Sequence, residues 1–328
     1  MEANTAYWDT SRFPRVHRIV FDNTLEQQEA LELVKTTEGR VDLVTELRPL
    51  DTLRVAESPL AQVVKNRGSL MSVSGWLNMR KAGSRWGDIR LRQGVNFAIN
   101  REDLIRYATR GNGVIIPGIV PAQAFGYNQN LAPYAFDPVT ARQLFREAGY
   151  PDGFALTLIA PEPLQVQATV VSKMLEQAGL QVDLQVLDSE AYNRKTDLRF
   201  LDQPPEQQTW DIALGLVGQV ANFPPWFYHL IALDGYYDWV TEQPELRQLY
   251  EQALRTVDGE QQQEFIRQME RHTRDQAYFL FLYNPIQLYA VNKRVTFVPH
   301  VDTHLHLIET SVTDQHWSVR KQGAGVHE

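Results

Sequence analysis

The chain has 328 residues, 43% of them hydrophobic and 22% charged, which is the composition of soluble globular proteins and enough length for about two domains. Its 32 Lys+Arg stand against 40 Asp+Glu, a net charge of −8, so the surface as a whole repels phosphate backbones and nucleic acid is not expected as a partner. There is no cysteine, which excludes disulfides, thiolate metal sites and cysteine nucleophiles.

In chain order, Val16–Phe21 is apolar at alternate and then consecutive positions and predicts a strand. Leu25 to Lys35 predicts a helix with Ala30, Leu31 and Val34 on one side, and residues 40–44 a second strand, so that the three form a β-α-β unit with a parallel pairing. The densest basic stretch, Arg80, Lys81, Arg85, Arg90 and Arg92, reads as a solvated helix face and loop. Leu91, Val95, Ala98 and Ile99 make a helical stripe, and Asn100 is the N-cap of a following helix. Asp137-Pro138 opens another helix, as N-cap and first helical residue, and Gly149 closes it in the left-handed conformation. A strand at 155–160, a helix with Val166, Val170, Met174 and Ala178 as its stripe, and a strand at 182–187 form a second β-α-β unit. A polar loop leads to a strand at 211–217, stopped by Gly218. Residues 219–242 read as a long aromatic loop, then come helices at about 244–257 and 260–275, a strand at 278–283, a turn at Asn284-Pro285 and a strand at 288–291. Sites in alternating α/β folds lie on loops beyond strand ends, which makes the 219–242 stretch the leading binding candidate.

Several passages resemble family 5 solute-binding proteins, the dipeptide, oligopeptide and nickel receptors of ABC importers. They are Asn4-Thr5-Ala6-Tyr7-Trp8 with the strand after it, Ile89-Arg90 through Ala98-Ile99-Asn100-Arg101, Asp137-Pro138 through Ala148-Gly149-Tyr150, Trp210-Asp211, and Leu288-Tyr289-Ala290-Val291 with Val298-Pro299. They occur in family order. The resemblance implies an α/β, type II periplasmic-binding-protein-like fold with one complete lobe plus a partial second lobe. The expected boundaries are 77–285 for the complete lobe, and 1–76 with 286–328 for the partial one. Trp76, Leu77 and Asn78 would be the outgoing hinge, and Asn284 and Pro285 the return. The chain matches a C-terminal portion of the family pattern. A lobe without its first strands is expected to show an unpaired edge or apolar face near 16–21 and 41–44, and to bind weakly alone.

In peptide-binding members an acidic residue after the strand corresponding to 211–217 pairs with the ligand's α-amino group. Here the stretch 218–225 holds no carboxylate, with Val220 or Asn222 where the acid is expected; Asp234 or Asp238 could supply one from farther along. Phe223, Trp226, Phe227 and Tyr228 would then wall an organic ligand. A second candidate is His300, Asp302, His304 and His306, whose alternation would put four polar side chains on one face of a strand, a usable zinc pattern. The apolar alternation of Val301, Leu305 and Leu307 explains the same stretch without metal.

No G-x-S-x-G, H-E-x-x-H or phosphate-binding loop is present, and neither enzymatic activity nor a cofactor is expected. The expected role is capture of a peptide-like or other small polar organic solute for ABC permease subunits, at the periplasmic or extracellular face by resemblance, although Met1–Asp9 has no signal-peptide character. A separately encoded N-terminal portion would be a further partner. The alternatives are a metal-binding protein or metal-dependent hydrolase on the histidine stretch, and a truncated remnant that binds nothing.

Overall fold

Alternating strands and helices build two units: Met1–Ser69 with Ile286–Glu328, and Leu70–Pro285. The computed structural model describes all residues except 5, 10, 12, 219–223, 242, 302–303 and 324–328. The boundary falls before the strand that ends at Leu77, not after it, so that strand belongs to the second unit in full.

The first unit opens with α1 (Gln27–Thr36), β1 (Leu43–Val44), α2 (Thr52–Ala56) and β2 (Ala61–Asn66). The second carries β3 (Met71–Leu77), α3 (Ile89–Phe97), α4 (Arg101–Thr109), β4 (Gly113–Ile115), α5 (Pro138–Glu147), β5 (Ala155–Pro161), α6 (Gln165–Gln177) and β6 (Gln181–Leu187). It continues through α7 (Ser189–Thr196), β7 (Ile212–Gly218), α8 (Pro224–Ala232), α9 (Pro244–Arg255), α10 (Gly259–Asp275) and β8 (Phe279–Pro285). The chain then returns to the first unit with β9 (Gln287–Asn292), β10 (Val295–Thr296), β11 (Ser311–Val312) and α11 (Trp317–Gly323).

In the first unit β9 is central in the order β1-β9-β2 and pairs antiparallel with both neighbours. The parallel pairing expected between 16–21 and 40–44 does not form, because residues 16–21 make no strand and β1 pairs instead with β9, supplied by the distant return of the chain. Successive side chains of β9 point to opposite faces, and both are covered. Leu288 and Ala290 pack with Leu31 and Val34 of α1 and Val55 of α2, while Tyr289 and Val291 pack with Val295 and Phe297. Asp42 ties the C-terminal segment down by accepting from Asn292 Nδ2 at 2.9 Å and from Trp317 Nε1 at 3.2 Å. Residues 16–21 form no strand. Arg18 makes one isolated bridge with Glu2, and Val20 and Phe21 are 71% and 53% exposed.

The second unit is built on a six-stranded sheet in the order β4-β8-β3-β7-β5-β6. The second β-α-β unit is parallel as expected, with Ala155 opposite Gln181 through Pro161 opposite Leu187, and β5 also pairs parallel with β7. Helix starts follow local side-chain chemistry. Asn100 accepts from the Asp103 N–H at 3.0 Å, and Asp137 accepts from the Thr140 N–H at 2.9 Å with Pro138 in the first turn. Gly149 (φ +96°) ends the same region in the left-handed conformation that costs glycine nothing. The buried residues of α6 are Ala168, Val171, Ser172 and Leu175; of the expected stripe Val170 and Met174 pack partly buried against the core and Ala178 is buried, while Val166 is 40% exposed. Asn284-Pro285 is no turn but the paired end of β8.

The basic stretch is spent inside the unit. Arg80 pairs with Asp238 at 2.6 Å, Lys81 with Asp211 at 3.1 Å and Arg90 with Asp88 at 2.6 Å. Arg92 is buried and donates to the Trp86 carbonyl at 2.6 Å and the Gln276 carbonyl at 2.9 Å.

Candidate functional site

The register places several chain ends on one edge of the six-stranded sheet. Gly218, the last residue of β7, lies opposite Met71, the first of β3. Tyr283 near the end of β8 lies opposite Val73, and the parallel pairings put Pro161 and Leu187 at the same edge. The carboxyl ends of β5, β6, β7 and β8 therefore converge there, together with the points where the chain enters the unit at Leu70 and leaves it at Pro285. In open α/β sheets ligands bind outside the carboxyl ends of the strands.

The chain leaves that edge from Gly218 into 219–223 and then into α8. Val220, Asn222 and Phe223 lie outside the described residues. The segment after them is not the loop expected from the sequence. Pro224-Pro225 fills the first turn of α8, where a missing N–H costs nothing. Phe227 and Tyr228 are 1% and 0% exposed and belong to the core of the unit, so the ligand-wall role expected of them gives way to packing. Trp226 is 41% exposed and keeps a free aromatic face one step beyond the candidate segment.

The two later carboxylates are each paired within the unit, Asp238 buried and Asp234 at the surface. Asp238 is buried, pairs with Arg80 and accepts the Asp234 N–H at 3.0 Å; Asp234 pairs with Arg247 at 2.8 Å. At the same sheet edge Gln167 Nε2 donates to the Tyr283 hydroxyl at 3.2 Å, and Asn284 Nδ2 donates to the Met71 carbonyl. That last bond joins the two strands by which the chain enters and leaves the unit. Sequence reasoning missed it, because it depends on β3 and β8 being neighbours.

The expected hinge residues Trp76, Leu77 and Asn78 stand at the opposite edge of the sheet. β3 is paired on both sides there, and Asn78 is fully buried with its Nδ2 donating to the Trp210 carbonyl at 3.2 Å. A fully paired central strand has no free torsions to absorb a rotation. Asn284 and Pro285 end the second unit at the converging edge. An open groove of about 550 Å³ also lies along α7, which follows β6; it is lined by Ser189, Glu190, Asn193, Arg194 and Phe200 and was not legible in the sequence.

The described residues of the histidine stretch are not in a strand, since β10 ends at Thr296 and residues 298–301 and 304–310 are irregular. His300 and His306 nevertheless meet with ring centroids 4.2 Å apart, and His304 lies 6.3 Å from His306. Asp302 lies outside the described residues. Among the described residues no group of three metal-ligating side chains converges on one point. A zinc titration of the chain is accordingly expected to reveal no saturable site below micromolar concentration; a tight one-to-one site lost in His300→Ala would contradict this.

A family model described as "Bacterial extracellular solute-binding proteins, family 5 Middle" matches residues 1–238, and the chain belongs to that family, whose members bind solutes and are not enzymes. It is 25% identical over 187 residues to the dipeptide-binding protein of Escherichia coli (strain K12), which covers 56% of this chain and 34% of that protein. It is 31% identical over 118 residues to the glutathione-binding protein GsiB of Shigella flexneri, or 35% of this chain and 23% of that one. The chain thus spans about a third or less of the length of these curated relatives. In fold it is similar to the ABC transporter-associated periplasmic binding protein DppA from Helicobacter pylori in complex with peptide STSA. The TM-score is 0.78 at 19% identity, covering 95% of this chain and 60% of that one. This is the type II periplasmic-binding-protein fold in part. Among the described residues no helix is long and apolar enough to cross a membrane.

Proposed function

We propose that the chain captures a peptide-like or other small polar organic solute by closure of two lobes and presents it to ABC permease subunits at the periplasmic or extracellular face. The observation that carries this reading is the convergence, on one sheet edge, of four strand carboxyl ends and both connections of the chain to the first unit. Closure about such connections is the hinge motion by which two-lobed receptors trap ligands. Asn284 and Pro285 are the hinge candidates that fit it. Relatives named for dipeptide and glutathione binding support a peptide-like solute.

The ligand segment departs from an amine-binding pattern. Residues 218–225 hold no carboxylate, and Asp234 and Asp238 are each paired to an arginine. A buried ammonium without an anion is costly, so the solute is read as one held by its amide and side-chain surface. Acetylation of a dipeptide's amino group is therefore expected to change its affinity by less than about threefold, whereas Trp226→Ala is expected to weaken it by about three- to tenfold through loss of one aromatic contact. Calorimetric titration of free and N-acetylated dipeptides against both proteins checks this. A loss of a hundredfold or more on acetylation would restore the amine-binding reading.

A further inference from the structure

Helix α10 carries one acid deep inside the second unit. Glu270 is fully buried; its Oε2 accepts the Asn128 N–H at 3.0 Å, the Val120 N–H faces the same carboxyl, and Oε1 has no hydrogen-bond partner. The carboxyl is pressed against the backbone of Gly118, where a Cβ would stand 2.7 Å from Oε1. The Tyr228 phenol of α8 and the Thr273 hydroxyl of α10 lie beside one another, fully buried, and neither oxygen makes a hydrogen bond of normal geometry. Two segments therefore meet at this acid, α10 and the stretch 116–128.

Among the described residues the surroundings hold no counter-charge. The titratable groups facing Glu270 are the phenols of Tyr127, from the 116–128 stretch, and Tyr228, from α8. On α10 itself Arg267 pairs with Glu264, Arg274 with Asp275 and His272 with Glu245, while Arg271 is exposed. A carboxylate taken out of water without a cation is costly, and the neutral acid is the cheaper occupant. Burial accordingly pushes the Glu270 carboxyl up to about 8.

We propose that Glu270 is a neutral acid that positions the 116–128 stretch on α10, and that its loss of a proton as the pH rises loosens that stretch. The folded value lies above the 4.5 of a solvated glutamate, so the tie is at full strength below about 4.5 and is lost as the pH rises through about 8. An opening that hydrates Glu270 becomes about fiftyfold more favourable between pH 6 and pH 8, and changes by less than about twofold above pH 9.

Amide hydrogen exchange over residues 118–128, corrected for the intrinsic pH dependence of exchange, tests this on the full chain. Protection is expected to fall by tens of fold from pH 6 to pH 8 in the wild type. It is expected to be nearly flat in Glu270→Gln and to keep the wild-type slope in Tyr228→Phe. The same slope in Glu270→Gln, or a flat wild type, would overturn the proposal. If Glu270→Gln does not fold, the carboxyl ¹³C titration of Glu270 in the wild type decides: a midpoint near 8 supports the tie, and one near 4.5 refutes it.

Discussion

Replacing Arg101 by methionine is expected to destabilise the second unit by about 3–5 kcal/mol, seen as a lower urea midpoint at unchanged slope. Arg101 is 2% exposed. Its guanidinium donates to the carbonyls of Phe281 at 2.7 Å, Asn96 and Ile99 at 3.1 Å and Tyr134 at 3.2 Å, and to Asn96 Oδ1 at 3.1 Å. Burial draws its pKa down to about 10, which still leaves it charged at neutral pH. One planar group thus joins the α3–α4 junction to β8 and to the stretch before α5. Methionine keeps the apolar stem but removes this donor from all of them, leaving Asn96 Oδ1 only the Phe281 N–H. Lysine keeps the charge but not the fork, and is expected to recover only part of the loss. A loss below about 1 kcal/mol for Arg101→Met would mean that the carbonyls find other donors.

Gly215→Ala is expected to cost about 3 kcal/mol, as a reduced melting temperature of the second unit. Trp76 lies flat across Gly215: a Cβ there would stand 2.0 Å from Cζ3 and 2.1 Å from Cη2 of the indole. The ring cannot retreat, since it is buried and stacks on Tyr237 with centroids 5.6 Å apart. Shrinking the ring should relieve the clash, so Trp76→Leu combined with Gly215→Ala is expected to be more stable than the sum of the single changes implies. Additive losses would mean that the two residues do not share this contact.

The same contact shows why part of the reading from sequence was mistaken. Trp76 sits next to a recognisable motif, and a motif gives order along the chain without saying which edge of a sheet a residue occupies. Trp210-Asp211 is similar: Trp210 is buried against Trp239, and Asp211 accepts the Thr157 N–H at 2.9 Å, at the edge away from the ligand segment. Helix starts at Asn100 and Asp137 were legible because a cap is a bond between neighbours in sequence. The parallel β5–β6 pair was legible because its crossover helix and stop at Gly179 are local signals. α8 was not, because Trp226, Phe227, Tyr228, Leu230 and Ile231 are apolar on almost every side and show no helical period. Glu270 gave no signal at all, since its burial depends on Gly118, Asn128 and Tyr228 arriving from distant segments.

The claim that matters most is that the edge where β7 ends receives the solute. Titration of the ¹⁵N-labelled chain with a dipeptide and its N-acetylated form, followed by amide chemical shifts, tests it even if affinity is weak. The account predicts saturable shifts grouped at Ala160, Leu187, Gly218 to Phe223, Trp226, Tyr283 and Asn284, reduced in Trp226→Ala. Shifts confined to the α7 groove or to the His300–His306 stretch, or none at millimolar peptide and glutathione, would contradict it.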